Sequence, residues 1–155
     1  MKFSKCSYKC GENVIAKATA ERVEAVLSDV RRPLKRHSAA SVREDVLLLL
    51  RSKAGWSDEI RISAKRGLTL TAKNGSTALC FQTGNMARFY ADLLKLQAQF
   101  LDGKITSGVY ILPTREAACL MGENMANYER LTAELSQMFS KVITIPLLIY
   151  GFYSD

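Results

Sequence analysis

Apolar positions recur along the chain at two periods, and the period changes several times. From about Ala18, the set Val23, Val26, Leu27 and Val30 falls on one face of a helix, which Pro33 stops. A second helix is expected after Ser41, where Ser41-Val42-Arg43-Glu44 has the form of a capping box. Its stripe is Val42, Val46, Leu49 and Leu50, the run Leu47 to Leu50 widens it, and Gly55 closes it. Residues 1 to 16 read as a leader, with an edge strand near Asn13 to Ala16.

The period then falls to two. Glu59 to Ser63 and Leu68 to Thr71 alternate, Asn74-Gly75 is a hairpin turn, and Thr77 to Gln82 returns. Residues 59 to 82 are therefore expected to form an antiparallel meander. Thr83-Gly84-Asn85 leads into the most regular helix of the chain. Met86, Phe89, Tyr90, Leu93, Leu94, Gln97 and Phe100 lie on its inner face, with Leu96 and Leu101 widening it. Arg88, Asp92 and Lys95 fall on the opposite face, where the plain reading is surface ion pairs.

Val109 to Leu112 has the unbroken apolar character of a central strand. Pro113-Thr114 opens a short helix. A longer helix follows, with Met125, Tyr128, Leu131, Leu135 and Met138 on one face. Val142 to Tyr150 is the last strand, and Pro146 points to an edge position or a bulge. A helix joining the third strand to the fourth fits a crossover between parallel strands.

A chain of 155 residues with 48% apolar and 24% charged residues suits one globular domain, here spanning 1–155. Within it, 17–54 hold two helices and 55–150 the core. No apolar run reaches bilayer length and no secretion signal opens the chain, so a soluble, cytoplasmic protein without membrane partners is expected. Cys6 and Cys10 have zinc-ligand spacing, but no second close pair completes a site, so free thiols are the simpler reading for Cys6, Cys10, Cys80 and Cys119. His37 is the one histidine, which disfavours Ser-His-Asp and Cys-His chemistry.

Charge changes the picture more. Residues 1 to 66 hold 15 Lys/Arg against 8 Asp/Glu, whereas residues 67 to 155 hold 7 of each. The whole net charge of +7 thus lies in the first part of the chain, densest at Arg31, Arg32, Lys35 and Arg36. A one-sided basic surface favours a polyanion, since binding releases condensed counterions.

The element order matches the common core of the PD-(D/E)XK nucleases. Residues 78 to 88 (ALCFQTGNMAR), with Asp92-Leu93-Leu94-Lys95-Leu96-Gln97, resemble the BglII/BstYI-type restriction endonuclease family. Ile111-Leu112-Pro113-Thr114, residues 122 to 130 (GENMANYER) and Ile145-Pro146-Leu147 also fit its pattern, over roughly residues 40 to 150. The resemblance implies an α/β (α+β) fold with a restriction-endonuclease-like core, a mixed central sheet of about five strands flanked by helices.

It also implies Mg²⁺ held by an Asp and by the Glu of a Glu-x-Gln strand, with the Gln near the attacking water. Gln82 fits the Gln. The Glu position holds Cys80 and the Asp position falls on Thr71, so both acids are missing. The resemblance leaves Glu44 or Asp45, on the second helix, as the family's helix acid, and Glu44, Asp92 or Asp58 for a migrated site, with Glu44 and Asp92 as metal ligands and catalytic residues beside Gln82; Asp58 and Glu59 begin the meander. Asn85 and Arg88 are candidate DNA contacts beside Arg31, Arg32, Lys35 and Arg36. Asn85 is equally a helix N-cap, and Cys80 a small buried hydrophobe.

The expected function is a double-stranded DNA-binding protein of the type II restriction endonuclease-like fold. If active, it is a Mg²⁺-dependent site-specific deoxyribonuclease with a degenerate or migrated site. The alternative is an inactive DNA- or protein-binding regulator of the same fold, and RNA or tRNA processing is a third reading. A homodimer is among the expected partners, although the chain has little room for segments that read base edges and form a dimer interface.

Overall fold

A computed structural model describes residues 1–63 and 65–154. Its elements, in chain order, are β1 (Lys2–Tyr8), α1 (Gly11–Val14), α2 (Lys17–Asp29), α3 (Ala39–Ala54), β2 (Ile60–Ser63) and β3 (Leu68–Leu70). β4 (Ala72–Asn74), β5 (Thr77–Phe81), α4 (Met86–Leu101), β6 (Ser107–Pro113), α5 (Arg115–Met121), α6 (Tyr128–Gln137) and β7 (Leu147–Tyr153) complete the chain.

Five strands form one mixed sheet in the order β1-β7-β6-β5-β4. β5, β6 and β7 run parallel, while β1 and β4 close the two edges antiparallel. The parallel step from β5 to β6 requires a crossover, and α4 supplies it as expected. Every residue of β5 and β6 is buried, in keeping with strands covered on both faces.

The sheet separates two cores. On one face Leu79, Phe81, Val109, Ile111 and Tyr150 meet α2, α3 and α5 through Val23, Leu27, Val46, Leu50 and Met121. On the other, Cys80, Tyr110, Leu112 and Ile149 meet α4 and α6 through Phe89, Leu93, Leu96, Leu131 and Leu135. The alternation along β5 therefore sends Cys80 toward α4, and Phe81 toward α3.

Several boundaries differ from expectation, each for a local reason. The first edge strand is Lys2–Tyr8, not Asn13 to Ala16, which lies in and just after the short helix α1. A strand needs a partner, and β7 offers one only to residues 2 to 8. α3 starts three residues early: Ser38 is its N-cap residue, so the capping-box pattern at Ser41 lies inside the helix.

The expected meander splits. β2 and β3 pair as a separate two-stranded sheet, and the chain passes through Thr71 into the β4–β5 hairpin. β7 begins after Pro146 rather than at Val142, and it lies between β1 and β6 instead of at an edge. Pro146 precedes the strand, where its carbonyl accepts from Gly108 N and its missing N–H is not needed. On α4, Leu94 and Leu101 are exposed and Asp92 is buried, reversing the faces that polarity and spacing predict for them.

Candidate phosphate-binding cleft

Where β5 ends, its ladder runs one residue further: Gln82 N donates to Ile111 O at 2.8 Å. Gln82 and Cys80 share the sheet face turned to α4. The chain then turns through Gly84 into α4, whose N-cap Asn85 accepts from Arg88 N with its side chain. These constraints place the first turns of α4 beside the end of β5. The result is a cleft of about 400 Å³ lined by Arg43 of α3, Glu59, Thr69 and Thr71, Phe81 and Gln82, and by Arg88, Ala91, Asp92 and Lys95.

Asp92 is the hub of the cleft, only 9% exposed. Its Oδ2 accepts from Gln82 Nε2 at 2.6 Å, and Tyr110 Oη stands 3.4 Å from the same oxygen. Its Oδ1 lies 2.6 Å from Lys95 Nζ. Lys95 Nζ also donates to the carbonyl of Thr69 at 2.8 Å, tying α4 to β3. Gln82 Oε1 accepts from Gly84 N at 2.7 Å, so both ends of that amide are held. Gly84 permits this crowding: a Cβ there would lie 2.7 Å from Gln82 Oε1 and 2.9 Å from Arg88 Cδ.

The cleft carries Arg43, Arg88 and Lys95 against Glu59 and Asp92, an excess of cations. Burial lowers the Arg43 guanidinium from its ordinary range, while Glu59 and Asp92 pull it back up. A guanidinium keeps its proton in proteins, so Arg43 stays a cation at the cleft wall. Burial, with Asp92 beside it, holds the Cys80 thiol well above its usual range, and burial does the same to the Tyr110 phenol.

The residues singled out from sequence are distributed unevenly. Gln82, Asp92 and Arg88 come together in the cleft with Thr71. Cys80 lies beneath it, in the core under α4. Glu44 is exposed on α3 and lines an adjoining hollow with Ala40, Leu47, Leu48 and Arg51, so the cleft does not pair it with Asp92. Glu59, not Glu44, is the second carboxylate of the cleft. Arg31 and Asp45 line a further hollow, and Arg32 is paired with Asp45. Lys35 and Arg36 are exposed in the α2–α3 connection.

Sequence reasoning misses Arg43 and Lys95 as parts of a site. Arg43 stands four residues before the buried Leu47, and that spacing is the one signal available for it. For Lys95 the i,i+3 spacing from Asp92 signals the ion pair but not its burial, and nothing in sequence links it to the carbonyl of Thr69.

The resemblance drawn from sequence expects a divalent cation at positions 71, 80 and 82, but the side chains present do not fit one. Thr71 Oγ1 accepts from Phe81 N, and Cys80 is a buried thiol turned to the core. Asp92 is already engaged at both oxygens, one of them by an ammonium. Hard cations take several oxygen ligands, carboxylates foremost. Among the described residues, no group of three or more His, Cys, Asp or Glu is placed to hold a metal ion.

Residues 3–152 match the sequence family described as restriction endonuclease BglII/BglIII. The fold is similar to a crystal structure of restriction endonuclease BglII complexed with a DNA 16-mer. The TM-score is 0.85 at 14% identity, over 100% of this chain and 79% of that one. It is also similar to free BglII, with a TM-score of 0.75 at 15% identity, over 100% of this chain and 81% of that one. No curated protein matches the chain. Among the described residues, no helix is long and apolar enough to cross a membrane.

Proposed function

The chain belongs to the restriction endonuclease BglII/BglIII family, and from that premise we propose that it binds duplex DNA through this cleft without cutting at the family's metal position. The observation that carries the reading is the exchange of charge at the site. By the family pattern the acid positions fall on Thr71 and Cys80, while Arg43, Arg88 and Lys95 converge on the space beside Gln82. Such a surface attracts a phosphodiester, and guanidinium groups suit phosphate oxygens. Lys35 and Arg36, both exposed, extend the basic surface outside the cleft. The complex of the similarly folded BglII with a DNA 16-mer supports DNA as the polyanion.

A second reading keeps hydrolysis, with Mg²⁺ at a migrated site. The contact of Gln82 with Asp92 at 2.6 Å, with Glu59 lining the same cleft, favours it. In that reading Asp92 is a ligand and Gln82 orients the water, while Glu44 acts only if α3 turns its outer side inward. A homodimer would let two clefts address the two strands of a duplex, whose local two-fold symmetry suits a symmetric protein.

The test is fluorescence anisotropy with labelled duplexes over a salt series, beside a cleavage assay in Mg²⁺ and Mn²⁺. The expected outcome is affinity that falls steeply with salt, by about one unit in log K per decade of salt for each phosphate contacted. No cleavage is expected, and duplex DNA should outcompete duplex RNA. A flat salt response would point to a protein partner instead. Metal-dependent cleavage that Asp92→Ala abolishes would establish the second reading.

A further inference from the structure

We propose that the Lys95 ammonium is the resident cation of this cleft, standing in for a divalent metal and offering its remaining N–H to a DNA phosphate. The phosphate half of this statement rests on the DNA-binding reading; the cation half does not.

The donor set around Lys95 Nζ is the first ground. It consists of one carboxylate oxygen, Asp92 Oδ1 at 2.6 Å, and one main-chain carbonyl, Thr69 O at 2.8 Å. Carboxylate and carbonyl oxygens are what a hard divalent cation also takes. An ammonium has three N–H donors, so one remains after these two contacts. Lys95 lines the cleft beside Arg43 and Arg88, where an anion would accept that donor.

The second ground is enclosure. The Lys95 and Asp92 side chains are 20% and 12% exposed, against 90% and 61% for the helical pair Lys17–Glu21. An exposed pair contributes little, whereas an enclosed one is weakly screened and fixed in place. Asp92 cannot swing away, since Gln82 Nε2 holds its other oxygen and Gly84 N holds Gln82. Lys95 lies one turn from Asp92 on α4, which Phe89, Leu93 and Leu96 anchor in the core.

The third ground is replacement. With Thr71 and Cys80 at the positions where the family pattern has its two acids, no carboxylate stands there to balance a divalent ion, and Glu59, the other carboxylate of the cleft, acts on Arg43. The single positive charge of Lys95 matches the one carboxylate it touches, Asp92. An ammonium stabilises a phosphate, but it does not generate hydroxide from water as a bound metal does. The substitution therefore agrees with binding that is not followed by cleavage.

The experiment compares wild type with Lys95→Met, Lys95→Arg and the double variant Lys95→Met/Asp92→Asn. Duplex affinity is read by anisotropy in EDTA and in Mn²⁺, and Mn²⁺ uptake by electron paramagnetic resonance of the free ion. Fluorescence of the single tryptophan, Trp56, reports folding, and Lys95→Gln replaces the Met variant if that one unfolds. Wild type is expected to bind DNA equally in EDTA and Mn²⁺, with no stoichiometric Mn²⁺ uptake.

Lys95→Met should lose about tenfold in EDTA, the weight of one charged hydrogen bond. It should regain affinity with Mn²⁺ and take the ion up, and the double variant should do neither. Lys95→Arg should keep most of the affinity in EDTA. Stoichiometric Mn²⁺ binding by wild type, or a Lys95→Met variant that takes up no Mn²⁺, overturns the cation half, and a Lys95→Met variant with unchanged DNA affinity overturns the phosphate half. If wild type binds no duplex DNA, the DNA-binding reading fails by itself, and the Mn²⁺ comparison still decides the cation half.

Discussion

Gly84 sits where three contacts converge. Its N–H holds the Gln82 amide, and the missing side chain leaves room for that amide and for Arg88. Gly84→Ala would place a methyl group 2.7 Å from Gln82 Oε1 and 2.9 Å from Arg88 Cδ, so one of them must move. Because Asp92 grips the amide, Arg88 is the freer of the two. The expected outcome is duplex affinity reduced about fivefold to tenfold, as when one phosphate contact is lost, with little change in the urea midpoint. A titration of the variant beside wild type checks both. At this scale the sequence is partly legible. Gln82 and Asn85 stand out because their spacing matches a known strand–turn–helix pattern. Polarity puts Asp92 on the solvent face, but it lies inside because Gln82, Tyr110 and Lys95 satisfy it, and such partners leave no trace in periodicity.

Among the elements, helices α2 and α4 are legible because each buries one long face against the sheet, and strand β6 because it is apolar on both faces and buried on both. The meander is legible in its strands but not in its pairing. Alternation says which residues are strand, not which sheet they join, and the split at Thr71 depends on contacts far away in sequence. The position of β1 is hidden for the same reason. Its neighbour α1 is held against β7 so closely that a Cβ at Gly11 would lie 2.1 Å from Leu147 O. Backbone cannot yield as a side-chain tip can, so Gly11→Ala should destabilise by about 1–3 kcal/mol, the usual range for overpacking. Urea unfolding followed through Trp56, which is buried, measures it.

For the molecule as a whole, the charge asymmetry is legible from residue counts along the chain, and its focus is not. The excess belongs to residues 1 to 66, yet the cleft takes Arg43 from that part and Arg88 and Lys95 from the balanced part. Apolar surface is also unevenly placed. Leu94, Leu101, Met138 and Val142 are exposed, and Leu94 and Val142 line an apolar hollow with Tyr90, Leu93, Phe139 and Ile143. Exposed apolar patches commonly mark contact surfaces. If the homodimer forms there, Leu94→Glu should shift the protein to monomer in size-exclusion chromatography with light scattering while leaving its fold intact. A variant with unchanged mass would exclude this face.

The sheet closes with its first strand on its last: Lys2 pairs with Tyr153 and Tyr8 with Leu147. During synthesis β1 therefore leaves the ribosome long before its partner exists. Until β7 emerges, β1 is an unpaired strand and β6 has an open flank, the kind of edge that recruits other chains. Contacts so distant in sequence also slow folding, because a long loop must close before they form. Aggregation of newly made chains should therefore respond to translation rate over the codons for residues 141 to 153 more than to those for the helices. Ribosome-bound chains halted before residue 147 should be protease-sensitive at their amino terminus.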